Sequence, residues 1–474
     1  MSGAAAQIRV VGFVEALELV LRHSAAVHAP GIEPVVLLTS VGRVLAENIV
    51  ADRDQPPFDR ATRDGFAVRA DEWSAGTKLR VVGQVRAGEI WRGGTMEADS
   101  ALEIMTGAPV PAGADAVAMV EHAEESRSEV RAAAGRTLRE GENVVPQGSE
   151  ARRGDAVVAA GTVMGAAEIA MAATCGYAEL AVRTRPTVAI VATGDELVEV
   201  EQTPGEQQIR NSNGYALAAM VVSAGGEARK LAIARDTRED VRGRIAEGRK
   251  SDLLLLSGGV SAGKYDLVEE VLAEFGAEFF FTGVRMQPGK PVVFGRVAKD
   301  SSRPSEGAEN PMHLIGRHFS AGTNASKTNV GFCPGDVLSS LTPTSSARVS
   351  EAGTTPAAAD SGGWTYFFGL PGNPVSTQVT FHCFVEPLLR AMCGAGALGP
   401  RFVQATLAEE VRGKAGLTRL LPAFLRHDLV RPEARLVGWQ GSGDLAANAR
   451  ANCYAVLPDG KDLRPGDVIT VLLR

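Results

Sequence analysis

The sequence predicts a multidomain α/β protein, and two observations predict it. Between residues 185 and 394 continuous apolar runs alternate with helix-spaced apolar stripes, the pattern of a doubly wound α/β domain. On either side, in 55–160 and 400–474, short apolar runs are separated by Gly, Pro and Asp clusters, which mark small β-rich units. The length agrees, since 474 residues at about 100 to 200 per domain make three or four units.

The elements follow in chain order. In 13–27, Phe13, Leu17, Val20 and Leu21 recur at helical spacing, with Ser24 as an interruption, so an amphipathic helix is expected. The runs 79–85, 116–120 and 156–160 are the strands of the first β-rich unit, and its glycines serve mostly as turn formers. The run 188–192 is a buried strand ending in Thr193-Gly194-Asp195, followed by a helix over 213–224 that Gly225-Gly226 stops, and then a strand over 230–234. Thr237 with Asp240 three residues on is a weak capping pattern, and Val241 and Ile245 give that helix its apolar face before the buried strand 252–256. Asp266 with Glu269 repeats the pattern ahead of a stripe containing Leu267, Val271 and Phe275. The order βαβαβα calls for a parallel sheet covered on both faces, and such sheets bind ligands at the carboxyl ends of their strands. Residues 300–362 carry Ser, Thr, Ala, Gly, Asn and Pro without a period, so a mobile insertion is expected there before a strand resumes at 364–370. The last unit reads as strands 419–425, 435–439, 453–457 and 467–473.

Composition excludes several classes. A net charge of −7 argues against a nucleic-acid binder whose affinity comes from many phosphate contacts. Cys175, Cys333, Cys383, Cys393 and Cys453 are an odd, widely spaced set with no CxxC pair, which fits a reducing compartment better than a disulfide framework or a thiolate zinc site. The first seven residues lack the charge and apolar run of a signal peptide, and no stretch of about 18 uninterrupted apolar residues occurs, so a cytoplasmic protein without a membrane partner is expected.

The motifs that carry chemistry cluster at predicted strand ends. Gly258 to Lys264 matches GxxxxGK, but Tyr265 stands where a P-loop needs a magnesium-binding hydroxyl, so that match is read as accidental. What survives is a glycine-rich turn before a helix, with backbone N–H groups and Ser261 suited to an oxyanion. Asp266 is a helix cap, a catalyst or both. Asp195-Glu196 either binds magnesium, acts as acid and base, or merely charges a helix N-terminus. Arg285-Met286-Gln287-Pro288-Gly289-Lys290-Pro291 and Leu370-Pro371-Gly372-Asn373-Pro374 are two ordinary type II turns, or two turns that send Lys290 and Asn373 into one crevice. His313, His318 and Cys333 have no metal-ligand spacing, and Arg60, Arg63, Arg69 and Asp64 form a charged cluster that a solvated loop would equally produce.

Together the segments resemble the molybdopterin molybdenumtransferase family, which includes bacterial MoeA and the E domain of gephyrin. Six ordered blocks carry the likeness: Pro57-Phe58-Asp59 with Asp64-Gly65-Phe66-Ala67-Val68-Arg69, Met105 to Pro111, Thr193 to Leu197, Ser257 to Ser261, Pro288 to Pro291, and Leu370 to Ser376. The resemblance implies an elongated first domain (8–54 and 161–184), a β-rich second (55–160), a molybdopterin-binding-like third (185–399) and a C-terminal β domain (400–474). It implies a homodimer in which Asp64 and Thr106 meet the crevice across the interface. It implies molybdenum insertion, in which adenylylated molybdopterin, donated by a molybdopterin adenylyltransferase, and molybdate enter with Mg2+, while molybdenum cofactor, AMP and water leave. Ser261, Lys290, Pro291, Arg426 and Ser442 match its molybdate positions, as suits a tetrahedral dianion needing several donors. Thr106, Gly258, Gly259, Asn373 and Ser376 fall at substrate-contact positions. Asp266 matches the aspartate needed for adenylate cleavage, Glu196 and Asp64 match acidic positions linked to activity, and Asp236 and Asp266 are the candidate metal ligands.

The sequence also departs from the family. Arg60, Ala61, Thr62 and Arg63 replace Asn-Ser-Ala-Met in the first block, and the added cations suit anion capture. Gln287 stands in place of a lysine, Lys264 in place of an acidic residue, and Glu150 in place of an aspartate. Two alternatives remain at this point: a catalytically weak paralogue or scaffold of the gephyrin type, and another enzyme built on the same α/β unit, against which the Asp64, Thr106, Arg426 and Ser442 positions argue.

Overall fold

The computed structural model describes residues 9–28, 30–259, 267–302, 363–396, 399–427 and 431–474. The expected insertion, apart from its first residues, and the segment 260–266 with Ser261, Lys264 and Asp266 lie outside the described residues. The chain divides into two compact units, one made of 32–182 and the other of the flanking segments up to 31 and from 183 onward.

The unit 32–182 is built on a six-stranded sheet in the order Ala116–Met119, Gly65–Val68, Ser100–Ile104, Leu79–Val85, Glu129–Ala132, Ala123–Ser126. Phe66, Val68, Trp73, Leu79 and Ala101 pack on one of its faces, and Ala67, Leu102, Ile104 and Val117 on the other, the alternation expected of a sheet buried on both sides. Shorter pairings extend the unit: Ile32–Val36 with Glu179–Arg183, Ile49–Val50 with Ala156–Val158, and Arg60–Ala61 with Val144–Val145.

The other unit holds the α/β sheet, ordered Glu227–Lys230, Thr187–Ala192, Leu253–Ser257, Trp364–Leu370, Val293–Ala298, Glu278–Phe281. The first four are parallel, while Val293–Ala298 and Glu278–Phe281 join antiparallel, so the sheet is mixed and not wholly parallel. Leu253, Leu254, Leu255 and Leu256 are each 0% exposed because both faces are covered. Helices Arg238–Gly248 and Leu267–Glu274 pack on the face shown by Leu254 and Leu256. Each such leucine contributes about 2 kcal/mol relative to an exposed one.

On the opposite face lie Ser212–Ser223, the N-terminal helix Phe13–Ala25 and a helical run of Pro374–Thr380, a π-turn Phe381–Val385 and Glu386–Met392. The buried stripe of Phe13–Ala25 is Phe13, Ala16, Leu19, Val20 and Ser24, rotated from the predicted one. Ser24 does not interrupt it, because its hydroxyl donates to the Val20 carbonyl at 2.8 Å and is satisfied inside.

Residues 399–474 form a small closed barrel. Thr418–Arg426, Glu433–Leu436, Phe402–Leu407, Val468–Leu473 and Cys453–Leu457 pair in turn, and Cys453–Leu457 pairs back to Thr418–Arg426. Closure removes the free edges an open sheet would expose. Met286–Gln287 adds to it, parallel to Thr418 and Arg419. The four described cysteines are buried, and no described helix is long and apolar enough to cross a membrane.

Candidate active site

Strand order places the site. Thr187–Ala192 is flanked by Glu227–Lys230, the strand of this sheet that follows it in the chain, on one side and by Leu253–Ser257 on the other, so the connections diverge there. A crevice opens outside strand ends at such a switch point. Here it has a volume of about 800 Å³ and takes its walls from Thr193, Glu196, Asp236, Gly258, Gly259, Pro291 and Asn373, with Arg210, Asn213 and Leu445 among the others.

The floor is a glycine turn. Gly258 and Gly259 have φ of +94° and +66°, a region L side chains rarely adopt. A Cβ on Gly258 would lie 2.4 Å from the Thr193 carbonyl oxygen, and one on Gly259 would lie 2.7 Å from Thr193 Oγ1. The two strand ends are laced together beneath it, with Thr193 N–H donating to the Ser257 carbonyl at 3.0 Å and Gly258 N–H to the Leu370 carbonyl at 3.3 Å. Asn213 in the first helical turn donates through Nδ2 to Ser257 Oγ at 3.0 Å and to the Gly372 carbonyl at 2.7 Å. Thr193 is 3% exposed, and its Oγ1 has no hydrogen-bond partner among the described residues.

The acidic wall is held by backbone pairing. Thr193 bridges Ala234 in parallel, and the Asp236 N–H donates to Asp195 Oδ1 at 3.2 Å. This brings Asp236 beside Asp195 and Glu196. Partial burial, then the Asp195 charge and more weakly that of Glu196, push the Asp236 carboxyl above its ordinary range despite an opposing hydrogen bond from the Asp195 backbone.

The opposite wall comes from the two Pro-Gly turns, and they differ. Gly289 has φ +108° as the sequence suggested, whereas Gly372 is not in the positive-φ region. Asn373 instead forms the N-cap residue of Pro374–Thr380, with Pro374 at the start, where a missing N–H costs nothing. Pro291 and Asn373 line the crevice, and Lys290 beside Pro291 is exposed. Ser376 is buried inside that helix at 3% exposure and does not line the crevice. The Ser442 carbonyl accepts from the Val375 N–H at 3.0 Å, which brings Gly443 and Leu445 to the crevice wall. Arg426 ends the strand Thr418–Arg426 on the barrel surface.

In the unit 32–182, Asp64 Oδ1 accepts from the Thr106 N–H at 2.6 Å, and this bond together with the Thr106 hydroxyl holds the carboxyl below its usual range. Two of the departures meet here, because Arg60 pairs with Glu150 at 3.2 Å. Gln287 Oε1 accepts from Lys414 Nζ at 3.1 Å, so an ammonium from the barrel sits where the sequence had removed one.

Sequence reasoning gave no site role to Thr193 and Ser257, which it named only within motifs, and missed Arg210 and Asn213. Asn211-Ser212-Asn213 was the available signal, since Asn211 caps its helix by accepting from Gly214 N–H at 2.9 Å and the strongly capped start fixes where Asn213 lies.

The comparisons with known proteins agree with this arrangement. The MoeA N-terminal region (domain I and II) matches residues 11–176, a probable molybdopterin binding domain matches 189–391, and the MoeA C-terminal region (domain IV) matches 404–473. A solved structure of a molybdopterin biosynthesis MoeA protein from Pyrococcus horikoshii superposes with TM-score 0.64 and 28% identity, covering 98% of this chain and 99% of that one. The molybdopterin molybdenumtransferase of Staphylococcus aureus is 30% identical over 93% of this chain and 90% of its own length. That of Staphylococcus epidermidis is 30% identical over 92% of this chain and 89% of its own length, and the chain belongs to this molybdopterin molybdenumtransferase family, with a role in molybdenum cofactor biosynthesis.

Proposed function

We propose that the chain inserts molybdenum: adenylylated molybdopterin and molybdate enter the crevice, and molybdenum cofactor, AMP and water leave. The observation that carries this reading is the crevice itself, in which a glycine turn faces an acidic pair across one cavity at the switch point. The turn suits an oxyanion, and the wall formed by Pro291 and Asn373 suits holding a second reactant beside it. In this reading Ser261, Lys290, Pro291, Arg426 and Ser442 receive molybdate, and Thr106, Gly258, Gly259 and Asn373 contact the pterin substrate. Asp266 serves adenylate cleavage, with Glu196 and Asp64 supporting it. Ser376 acts through the helix it anchors.

Mg2+ fits the donor set. It is held as a rule by one or two carboxylates plus substrate phosphates, so it needs no complete protein cage. Among the described residues no three acidic, His or Cys side chains form such a cage, yet Asp236 and Glu196 share the wall, and a cation would relieve the part of the upward push on Asp236 that comes, after burial, from the Asp195 and Glu196 charges. When bound there, the ion would neutralise phosphate charge. Asp236 and Glu196 would hold and orient it.

The test mixes purified protein with adenylylated molybdopterin, Mg2+ and molybdate and follows AMP and active cofactor together, with Asp266→Asn as the comparison. Coupled appearance of both in wild type, and loss of AMP release with retained pterin binding in the variant, is expected. Wild type yielding neither, under conditions where a relative works, rejects insertion and leaves a scaffold or diverged paralogue. Light scattering of the same sample tests the homodimer, and added molybdopterin adenylyltransferase tests substrate donation.

A further inference from the structure

The crevice contains a cation that neither the motifs nor the reading above uses. Arg210 ends the short strand Ile209–Arg210, which pairs in parallel with Leu197–Val198. Its Nε donates to the Val200 carbonyl at 3.0 Å and lies 3.2 Å from the Gln202 carbonyl. Those acceptors fix the plane of the guanidinium while engaging only one of its five N–H groups. The two Nη groups have no hydrogen-bond or ion-pair partner among the described residues.

Charge makes this position informative. Of the described side chains that line the crevice, Arg210 is the one cation, and Glu196 and Asp236 are the acids. A site of that sign repels an anion unless something positive meets it first. Surface arginines are ordinarily paired or wave in solvent, whereas this one is oriented by backbone and leaves its paired donors to the cavity.

We infer that Arg210 recognises a phosphate group of the adenylylated substrate through its Nη edge. A guanidinium presents two parallel donors that match two oxygens of a phosphate, and a fixed plane lowers the entropy lost on forming them. The inference rests on the proposed reaction for the identity of the phosphate ester. It does not rest on that reaction for the anion site, which stands on the oriented, unpaired guanidinium.

The experiment compares wild type, Arg210→Gln and Arg210→Lys in steady-state AMP release and, separately, in equilibrium binding of AMP by calorimetry. Arg210→Gln is expected to raise the KM for adenylylated molybdopterin about 10- to 100-fold. Its kcat at saturation and half-saturating molybdate should stay within about threefold of wild type, its AMP binding should weaken in parallel, and Arg210→Lys should recover part of both. An unchanged KM and unchanged AMP binding in Arg210→Gln overturn the inference while leaving the reaction standing. A joint change in KM, kcat and molybdate dependence together with a lower Tm also overturns it, because Arg210 would then only clamp the 199–202 loop. If wild type turns over no substrate, the reaction reading fails, and the AMP titration alone decides: binding lost in Arg210→Gln sustains the phosphate site, and equal or absent binding rejects it.

Discussion

One sheet carries two contrasting aspartates. Asp252 precedes Leu253–Ser257 at the amino end of the parallel strands, where its Oδ2 accepts from the Thr187 N–H at 2.7 Å and the Thr187 hydroxyl at 2.8 Å, and its Oδ1 accepts from Lys299 at 2.6 Å. Burial alone pushes this carboxyl up, but the bonds from Lys299 and Thr187 outweigh it and hold it below the usual range. Asp236, at the carboxyl end, is pushed the other way by burial and by the Asp195 and Glu196 charges. One end of the sheet is internally satisfied and the other is left in conflict. Conflict of that kind is tolerated where a ligand resolves it, which is why perturbed carboxylates gather at functional sites.

The largest expected effect breaks the carboxyl end without touching a charge. Gly258→Ala forces a side chain onto a φ of +94° and a Cβ to 2.4 Å from the Thr193 carbonyl oxygen, which is backbone and cannot yield cheaply. A loss of about 3 kcal/mol in stability is expected, read by denaturant unfolding. Gly372→Ala is the matched control, since its Cβ would meet only Gly258 Cα at 3.6 Å, an ordinary contact. It should stay within about 0.5 kcal/mol of wild type. Equal losses in the two would mean that the turn geometry is not what constrains Gly258.

Next in size is Asp236→Asn. It should slow AMP release about 10- to 100-fold, the usual range for losing a carboxylate that orients a metal or its ligands. Because it also removes a repelled charge, it should not lower Tm. A variant that unfolds more easily would place Asp236 with the structural carboxylates and erase the contrast with Asp252.

How much of this was legible follows from burial. The strands Thr187–Ala192 and Leu253–Ser257 were readable because two covered faces demand an unbroken apolar run, and such runs survive in sequence. The strand expected over 230–234 is instead Glu227–Lys230, immediately after the helix-stopping glycines. It lies at the sheet edge, so three of its four residues are charged, while the apolar Leu231 and Ala234 are buried beyond it as core and loop. Phe402–Leu407 was missed for the same reason, since its first half is exposed at the barrel surface. At the site, glycines and acids announce themselves by type, as Gly258 and Glu196 did, while Asp236 came only from the family resemblance. Thr193 and Arg210 did neither, because their significance comes from which strands end side by side, a long-range property that no local spacing records.

The smallest effect is the sharpest test of the comparison. Asp252→Asn leaves Lys299 half-buried and without its anion, which should cost about 1 to 2 kcal/mol, discounted from a buried pair because both side chains keep some solvent contact. Activity per folded molecule should be unchanged, for Asp252 lies at the strand ends away from the crevice. The pH dependence separates the two aspartates further. Asp252 has a folded pKa below its ordinary value of 3.8, so its stabilisation is complete above 3.8 and fades as pH falls through the lowered value. Asp236 has a folded pKa above 3.8, so its contribution is complete below 3.8 and fades as pH rises through the raised value. Against wild type, Asp252→Asn should therefore be most destabilised at neutral pH and approach wild type in acid. Asp236→Asn should be relatively most stable at neutral pH and lose that advantage in acid. Parallel stability curves for the two variants would show that the ends of the sheet do not differ electrostatically, and the conflict assigned to the crevice would have to be sought in residues other than Asp236.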